Sequence, residues 1–221
     1  MGKRIAFGLF SVLSLTGYCA LSVWPFGSVA TFLSDPARAA YVVLMYAAGI
    51  ASAFTDSSGV GPGIREDKSN RWILLPVISV GLLEAWLPPY MDRHGIWVWG
   101  GEAVRWLGVV IVTIGCVMRL TPVFELGRRF SGLVAIQEGH TLKTDGLYKT
   151  IRHPSYLGLI TVTLGCAFVF RGVLVGLIIT AIIAAALVVR MNSEEKLLQD
   201  QFQEEYADYK KRTWRLIPHI Y

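Results

Sequence analysis

Two groups of side chains in the last third of the sequence carry the chemistry to handle an anion. The first lies between Gly132 and Gly158, the most polar and motif-like stretch of the chain, and holds His140, Gly146, Tyr148, Arg152, His153, Pro154 and Tyr156. Pro154 suits the first turn of a helix, where its missing N–H costs nothing. The exposed backbone N–H groups of such a helix start attract a carboxylate or a phosphate. A plainer use of the same residues is a capped interfacial loop with Lys149 and Arg152 on lipid phosphates. The second group is Arg190, Glu194 and Glu195. Arg190 and Glu194 are four apart and share a helix face. Arg190 is then either a forked donor for a substrate carboxylate or a snorkelling arginine with a helical partner.

Other chemistries are excluded or unsupported. There is no His-Glu-x-x-His, no Gly-x-Ser-x-Gly elbow and no paired metal-ligand spacing, so no metal is expected. Gly59-Val-Gly-Pro-Gly63 looks like a glycine-rich loop but follows no strand of a βαβ unit. Cys19, Cys116 and Cys166 all sit in apolar runs and read as small hydrophobic side chains. No basic run with interleaved aromatics and no nucleic-acid-binding signature appears, so nucleic acid is not an expected partner.

The elements that must position these residues are set by composition. The chain has 221 residues, of which 53% are hydrophobic and 17% charged, against roughly 25% charged in soluble domains. Its mean hydropathy is +0.48. Six continuous apolar stretches, at 5–24, 38–55, 72–88, 103–120, 155–170 and 172–189, are close to the ~17–25 residues that cross a bilayer, the fifth marginally. Continuous rather than alternating runs predict helices, which satisfy their own backbone in lipid. The first run is read as a retained span, because bulky Tyr18 stands where a signal-cleavage site wants a small residue. The last two runs are separated by Arg171 alone and predict a helical hairpin. Gly172 and Gly176, with three residues between them, allow close helix contact there or are ordinary membrane glycines.

Charge sets the topology. With the N-terminus in the cytoplasm, all but four of the 21 Lys and Arg residues fall on the cytoplasmic side. The exceptions are Arg38, Arg93, Arg105 and Arg171. This is the asymmetry of the positive-inside rule. The fold expected is therefore all-α: a polytopic transmembrane bundle of about six spans with both termini cytoplasmic. Residues 1–123 supply four N-terminal spans. Residues 124–221 supply the polar loop, the hairpin and a cytoplasmic tail helix. That tail is amphipathic, with Leu197, Leu198, Phe202, Tyr206 and Tyr209 at helical spacing, and ends by Pro218. It either lies on the membrane or packs over the loop as a lid. Trp72, Trp86, Trp97, Trp99 and Trp106 stand near span ends as an interfacial belt.

The string from His140 to Gly158 closely resembles the signature of the isoprenylcysteine carboxyl methyltransferases. That signature runs His-x-Leu-x-x-x-Gly-x-Tyr and then Arg-His-Pro-x-Tyr-x-Gly. The family's later elements have counterparts in Arg190, Glu194-Glu195, Glu205-Tyr206-Ala-Asp-Tyr209 and Ile217-Pro218, in the same order. The resemblance covers roughly residues 130–221; the first 120 or so match only as generic spans.

The resemblance implies S-adenosyl-L-methionine as cofactor. His140, Thr141, Leu142 and Lys143 would line it with Tyr148 nearby, and His153, Pro154, Ser155 and Tyr156 would complete the pocket. Arg190 and Glu194 would face the substrate and carry catalysis. Gln137 is too close to His140 to take the place of the family's upstream glutamine. The partners implied are membrane lipids and a lipophilic small-molecule or lipidated substrate that enters from the bilayer. Two related classes differ in detail. Membrane sterol reductases, which use NADPH, usually show Asn where Ser155 stands and Glu where Leu159 stands. A phospholipid N-methyltransferase is the nearest rival among methyl-transfer enzymes. A non-catalytic protein on the same scaffold is a third possibility, disfavoured by the intact His153, Arg190 and Glu194.

Overall fold

The computed structural model describes residues 2–53, 65–66, 72–127, 135–136 and 141–221. His140 and Gln137 lie outside the described residues. The chain is built of helices: α1 (Gly2–Val23), α2 (Val29–Leu33), α3 (Pro36–Ala53), α4 (Leu74–His94), α5 (Glu102–Leu126), α6 (Pro154–Val169) and α7 (Val173–Lys211). The described strands are two-residue pieces, β1 (Arg65–Glu66) and β2 (Ala135–Ile136), paired antiparallel. The six longer helices coincide with the six apolar stretches. Among the described residues, α4, α5 and α7 are long and apolar enough to cross a membrane, and residues 12–26 and α6 form shorter apolar helices. Side chains such as Val43, Leu75, Ile78, Val110, Val117 and Leu174 stand exposed on outer faces. Such faces are soluble only in lipid, and the chain is an integral membrane protein.

Three helix ends differ from the sequence expectation. The third span was expected to stop at Pro88, yet α4 continues through Pro88 and Pro89 to His94. Pro89 has no N–H to give to the carbonyl of Ala85. The Ser22 hydroxyl of α1 donates to that carbonyl instead, at 2.8 Å, which removes the penalty of an orphaned group in lipid. α5 likewise passes Pro122 and ends at Leu126, so the 123/124 division falls inside a helix. The tail is not a separate element. α7 runs unbroken from the last span into the polar tail as far as Gln203, where a kink (φ 46°, ψ −115°) joins it to a short second helical piece that ends at Lys211. No Gly or Pro follows Gly176 before Gln203 to break it.

The closest helix pair is α5 against α6. Gly108 and Gly115 on α5 face Gly165 and Gly158 on α6. A Cβ on Gly115 would stand 2.7 Å from the backbone N of Val162, and one on Gly165 2.7 Å from that of Val112. Glycine on both sides lets the backbones touch, which replaces the missing hydrophobic drive between helices in lipid. The contact expected at Gly172 and Gly176 exists only at the second. Gly176 abuts Ala167, while the nearest atoms to a Cβ on Gly172 lie at an ordinary 3.6 Å. Around the α5–α6 pair, Phe26, Phe32, Tyr41, Val112, Cys166 and Phe170 form one buried cluster. Val175, Ile179, Ile183 and Leu187 of α7 form a second with Met91 of α4.

An ion cluster closes the end of the bundle away from the motif loop. The Asp92 carboxylate is fully buried and accepts from Arg105 at 2.8 and 2.9 Å, from Arg171 at 2.9 Å and from Arg38 at 3.4 Å. Asp35 adds a second carboxylate, 3.0 Å from Arg105 Nε. These are three of the four arginines that break the charge asymmetry. They sit at that end because each is paired, which is the condition for burying charge near lipid.

Candidate functional site

The site is assembled where α6 begins, against the middle of α7. His153 has φ −123° and ψ 57° and is the last residue before the helix. Its carbonyl accepts from the backbone N–H groups of Tyr156 and Leu157 at 3.1 and 3.2 Å, which starts the helix with Pro154 in the first turn. Tyr156 thereby projects one turn on, with its ring stacked on the His153 imidazole at 5.4 Å between centroids.

The Tyr156 hydroxyl is the junction of the two sequence clusters. Arg190 Nε donates to it at 2.7 Å, and it donates to Glu194 Oε2 at 2.6 Å. Arg190 and Glu194 share a face of α7 as their spacing predicted, and they meet through Tyr156. Tyr156, expected in the cofactor wall, therefore stands at the boundary between that wall and the Arg190–Glu194 pair. Tyr148 is buried in the short 3-10 helix Gly146–Lys149 beside it. Burial, then the nearby Glu194 charge, pushes its hydroxyl well above the usual tyrosine range. It stays a neutral phenol.

Glu195 faces the other way from its neighbour. One carboxylate takes Arg152 Nε at 3.0 Å, His153 Nε2 at 3.2 Å, Arg215 Nε at 3.3 Å and Lys210 Nζ at 3.6 Å. Burial alone would raise this carboxyl. The hydrogen bonds and charges of His153 and Arg152 overcome it and hold Glu195 down at about 2. The segment after α7 completes the frame. Trp214 N–H donates to the Thr150 carbonyl at 2.9 Å, and Arg152 N–H to the Trp214 carbonyl at 2.8 Å. Tyr209 donates to the Tyr148 carbonyl at 2.7 Å. The tail thus packs on the motif loop, which was one of its two expected uses.

The loop residues fare unequally. Lys143 turns back to Asp145 at 2.6 Å. Leu142 is half-buried and Thr141 exposed. Pro154 is a buried first helical residue. Ser155 is buried and its hydroxyl accepts from Arg119 Nη1 at 2.5 Å. The expected role of His140 falls outside the described residues.

Sequence reasoning missed two residues, Arg119 and Glu125, and the role of a third, Glu195. Glu195 was visible only as the second member of a Glu-Glu pair, and neighbours on a helix point about 100° apart. Arg119 was counted only among the cytoplasmic charges, yet on α5 it bonds Ser155 and stands near Tyr156 and Arg190. A charge inside an apolar run was the available signal. Glu125 lines the loop: a Cβ on Gly146 (φ +57°) would fall 2.7 Å from its Oε1. Its Oε2 is buried without a hydrogen-bond partner among the described residues. This is an open acceptor at the loop, suited to an ammonium or a hydroxyl.

Several known proteins are similar to this chain. Residues 106–200, from α5 to the middle of α7, match the model of the isoprenylcysteine carboxyl methyltransferase family. The chain is 27% identical over 115 residues to protein-S-isoprenylcysteine O-methyltransferase B of Arabidopsis thaliana, covering 51% of this chain and 58% of that one. It is 32% identical over 124 residues to the protein-S-isoprenylcysteine O-methyltransferase of Mus musculus, covering 54% and 44%. The chain spans about half the length of the curated relatives it matches. A solved structure of a eukaryotic intramembrane Ras methyltransferase, isoprenylcysteine carboxyl methyltransferase, aligns with 90% of this chain and 68% of its own, at 20% identity and a TM-score of 0.49.

Proposed function

From the match of residues 106–200 to the model of the isoprenylcysteine carboxyl methyltransferase family, we propose that this integral membrane protein methylates the carboxylate of a lipophilic acid. The acceptor is an isoprenylcysteine or a hydrophobic acid of similar shape, and the donor is S-adenosyl-L-methionine. The observation that carries the reading is the Arg190–Tyr156–Glu194 chain of hydrogen bonds beside the His153 helix start.

The residues present fit that donor. Its carboxylate suits the start of α6. Its ammonium or ribose hydroxyls match the open Glu125 acceptor. The loop 141–149, with the buried Tyr148, supplies an apolar wall for adenine. When bound, the donor supplies a methyl group on a sulfonium, open to in-line displacement by an acceptor oxygen.

The chain's own work is alignment and exclusion of water. Arg190 orients the acceptor carboxylate through its fork. Tyr156 holds Arg190 and Glu194 at fixed distance, and Glu195 holds His153 in place. A carboxylate is already a nucleophile, so no residue need remove a proton. Glu194 keeps a second reading open, because a carboxylate at the acceptor side also suits an amine lipid. The 124–221 half, together with α5, carries this chemistry. Both termini are cytoplasmic; the donor enters from the cytoplasm and the acceptor sideways from the bilayer, since α6 and α7 leave the apolar layer at the site.

Thermal melting of detergent-purified protein tests the donor. S-adenosyl-L-methionine and S-adenosylhomocysteine raise the melting point with concentration, and NADPH does not. Stabilisation by NADPH alone would move the reading to a reductase.

A further inference from the structure

The last ten residues form a strap with two unlike faces. Thr213 and Leu216 are buried on its inner side, 8% and 7% exposed. On its outer side Trp214, Ile217, Ile220 and Tyr221 are 39%, 43%, 76% and 43% exposed. The arrangement is fixed by backbone bonds: Leu216 and Ile217 N–H donate to the Tyr221 carbonyl at 2.8 and 3.0 Å, and Ile220 N–H to Ile217 at 3.1 Å. Ile217, Ile220 and Tyr221 are therefore held outward by a closed turn, and Trp214 by its backbone pairing with Thr150 and Arg152.

The height of this strap is set by two independent contacts. His153 N–H donates to the Arg215 carbonyl at 3.1 Å, at the residue where α6 enters its apolar run. Arg215 Nη2 donates to Asn192 Oδ1 at 2.6 Å, just past the point where α7 leaves its own. Both spans cross the membrane boundary at this level. The outward apolar residues thus lie at the headgroup layer, not out in water. Exposed Lys211 and Arg212 flank them; Asp208 offsets Lys211 at 2.8 Å, and the single Glu195 carboxylate is shared by Arg152, Arg215 and Lys210, so the region stays net basic.

We propose that this strap is a lipid-docking surface: Trp214, Ile217, Ile220 and Tyr221 insert into the leaflet on the motif-loop side, and the basic residues favour anionic lipid. A tryptophan and aliphatic side chains beside Lys and Arg are the composition of an interfacial anchor. The inner face of the same strap holds Arg152 and His153, so the lipid contact steadies the site wall. The reading rests on the membrane fold alone and stands apart from the methyl-transfer proposal.

The test uses the full chain in nanodiscs holding one molecule each, with a spin label at Ile220→Cys or Ile217→Cys and a control label at Lys211→Cys. Protein with its native cysteines alone sets the background. Collision rates with oxygen and with a water-soluble nickel complex report depth. Labels at 220 and 217 are expected to lose nickel collisions and gain oxygen collisions relative to 211, more so with phosphatidylglycerol than with phosphatidylcholine alone. Nickel access at 220 and 217 equal to that at 211 overturns docking and assigns the face to a protein partner or a second copy. Equal depth in both lipids overturns the preference for anionic lipid.

Discussion

The Tyr156 hydroxyl joins a guanidinium to a carboxylate, and its removal is the smallest change that separates them. In Tyr156→Phe the aromatic stack on His153 remains while both hydrogen bonds are lost. Hydrogen bonds to charged groups contribute ~1.5–3 kcal/mol, so methyl transfer is expected to fall by about 10- to 100-fold with little change in melting point. An unchanged rate would remove Tyr156 from the machinery. Glu195 makes a prediction in pH. Its carboxyl stands at about 2 in the folded protein against an ordinary 4.5. A depressed carboxyl contributes stability that is whole above the unfolded value and is lost as pH falls through the folded one. Wild-type melting temperature should therefore drop between pH 4.5 and 2, and Glu195→Gln should start lower and lose less over that window. Identical pH profiles for the two proteins would contradict the hub. At this scale the sequence was informative about residue identity and poor on partners. Arg190 and Glu194 were legible as a pair from spacing alone. That Glu195, not Glu194, receives His153 depends on the rotation of α7 about its axis, which no local pattern reports.

Helices were legible because long apolar runs in lipid have no other backbone solution. Their ends were less so, because Pro88, Pro89 and Pro122 signal breaks yet stand inside helices, and at Pro89 a distant partner makes the repair. Ser22 supplies the missing bond to Ala85 from 63 residues away. Ser22→Ala should accordingly destabilise by about 1 kcal/mol, read as a lower melting temperature in detergent. The α5–α6 contact was hidden for the same reason. Gly108, Gly115, Gly158 and Gly165 are unremarkable apart and meaningful only when two helices face each other. Filling the contact with Gly115→Leu drives a side chain into the α6 backbone, where overpacking costs at least ~1–3 kcal/mol. Because Arg119 and Ser155 lie on the same two helices, donor binding should weaken along with stability. Gly172→Ala, whose added methyl would meet Pro88 at an ordinary 3.6 Å, should do neither.

Across the whole molecule, chemistry sits at one end of the bundle and a charge clamp at the other. Asp92 ties α3, α4, α5 and the α6–α7 turn into one unit through Arg38, Arg105 and Arg171. Asp92→Asn leaves those guanidiniums with a deficit of buried negative charge, a change that costs ~3–5 kcal/mol in buried pairs. The melting point should fall by many degrees although the site is untouched. Retained stability would make the clamp redundant. Charge asymmetry in the sequence carries the topology expectation; three of its four exceptions, Arg38, Arg105 and Arg171, are structural, which only their pairing with Asp92 reveals.

The account turns on an acceptor carboxylate, and the bond formed identifies it. Purified protein is incubated with methyl-labelled S-adenosyl-L-methionine and a farnesylated cysteine bearing either a free or an amidated carboxyl group, and the product is treated with mild base. The account predicts label on the free acid alone, released as volatile methanol, and its loss in Arg190→Ala. Label that survives base, or equal labelling of the amide, would place the methyl group on nitrogen or sulfur and contradict it.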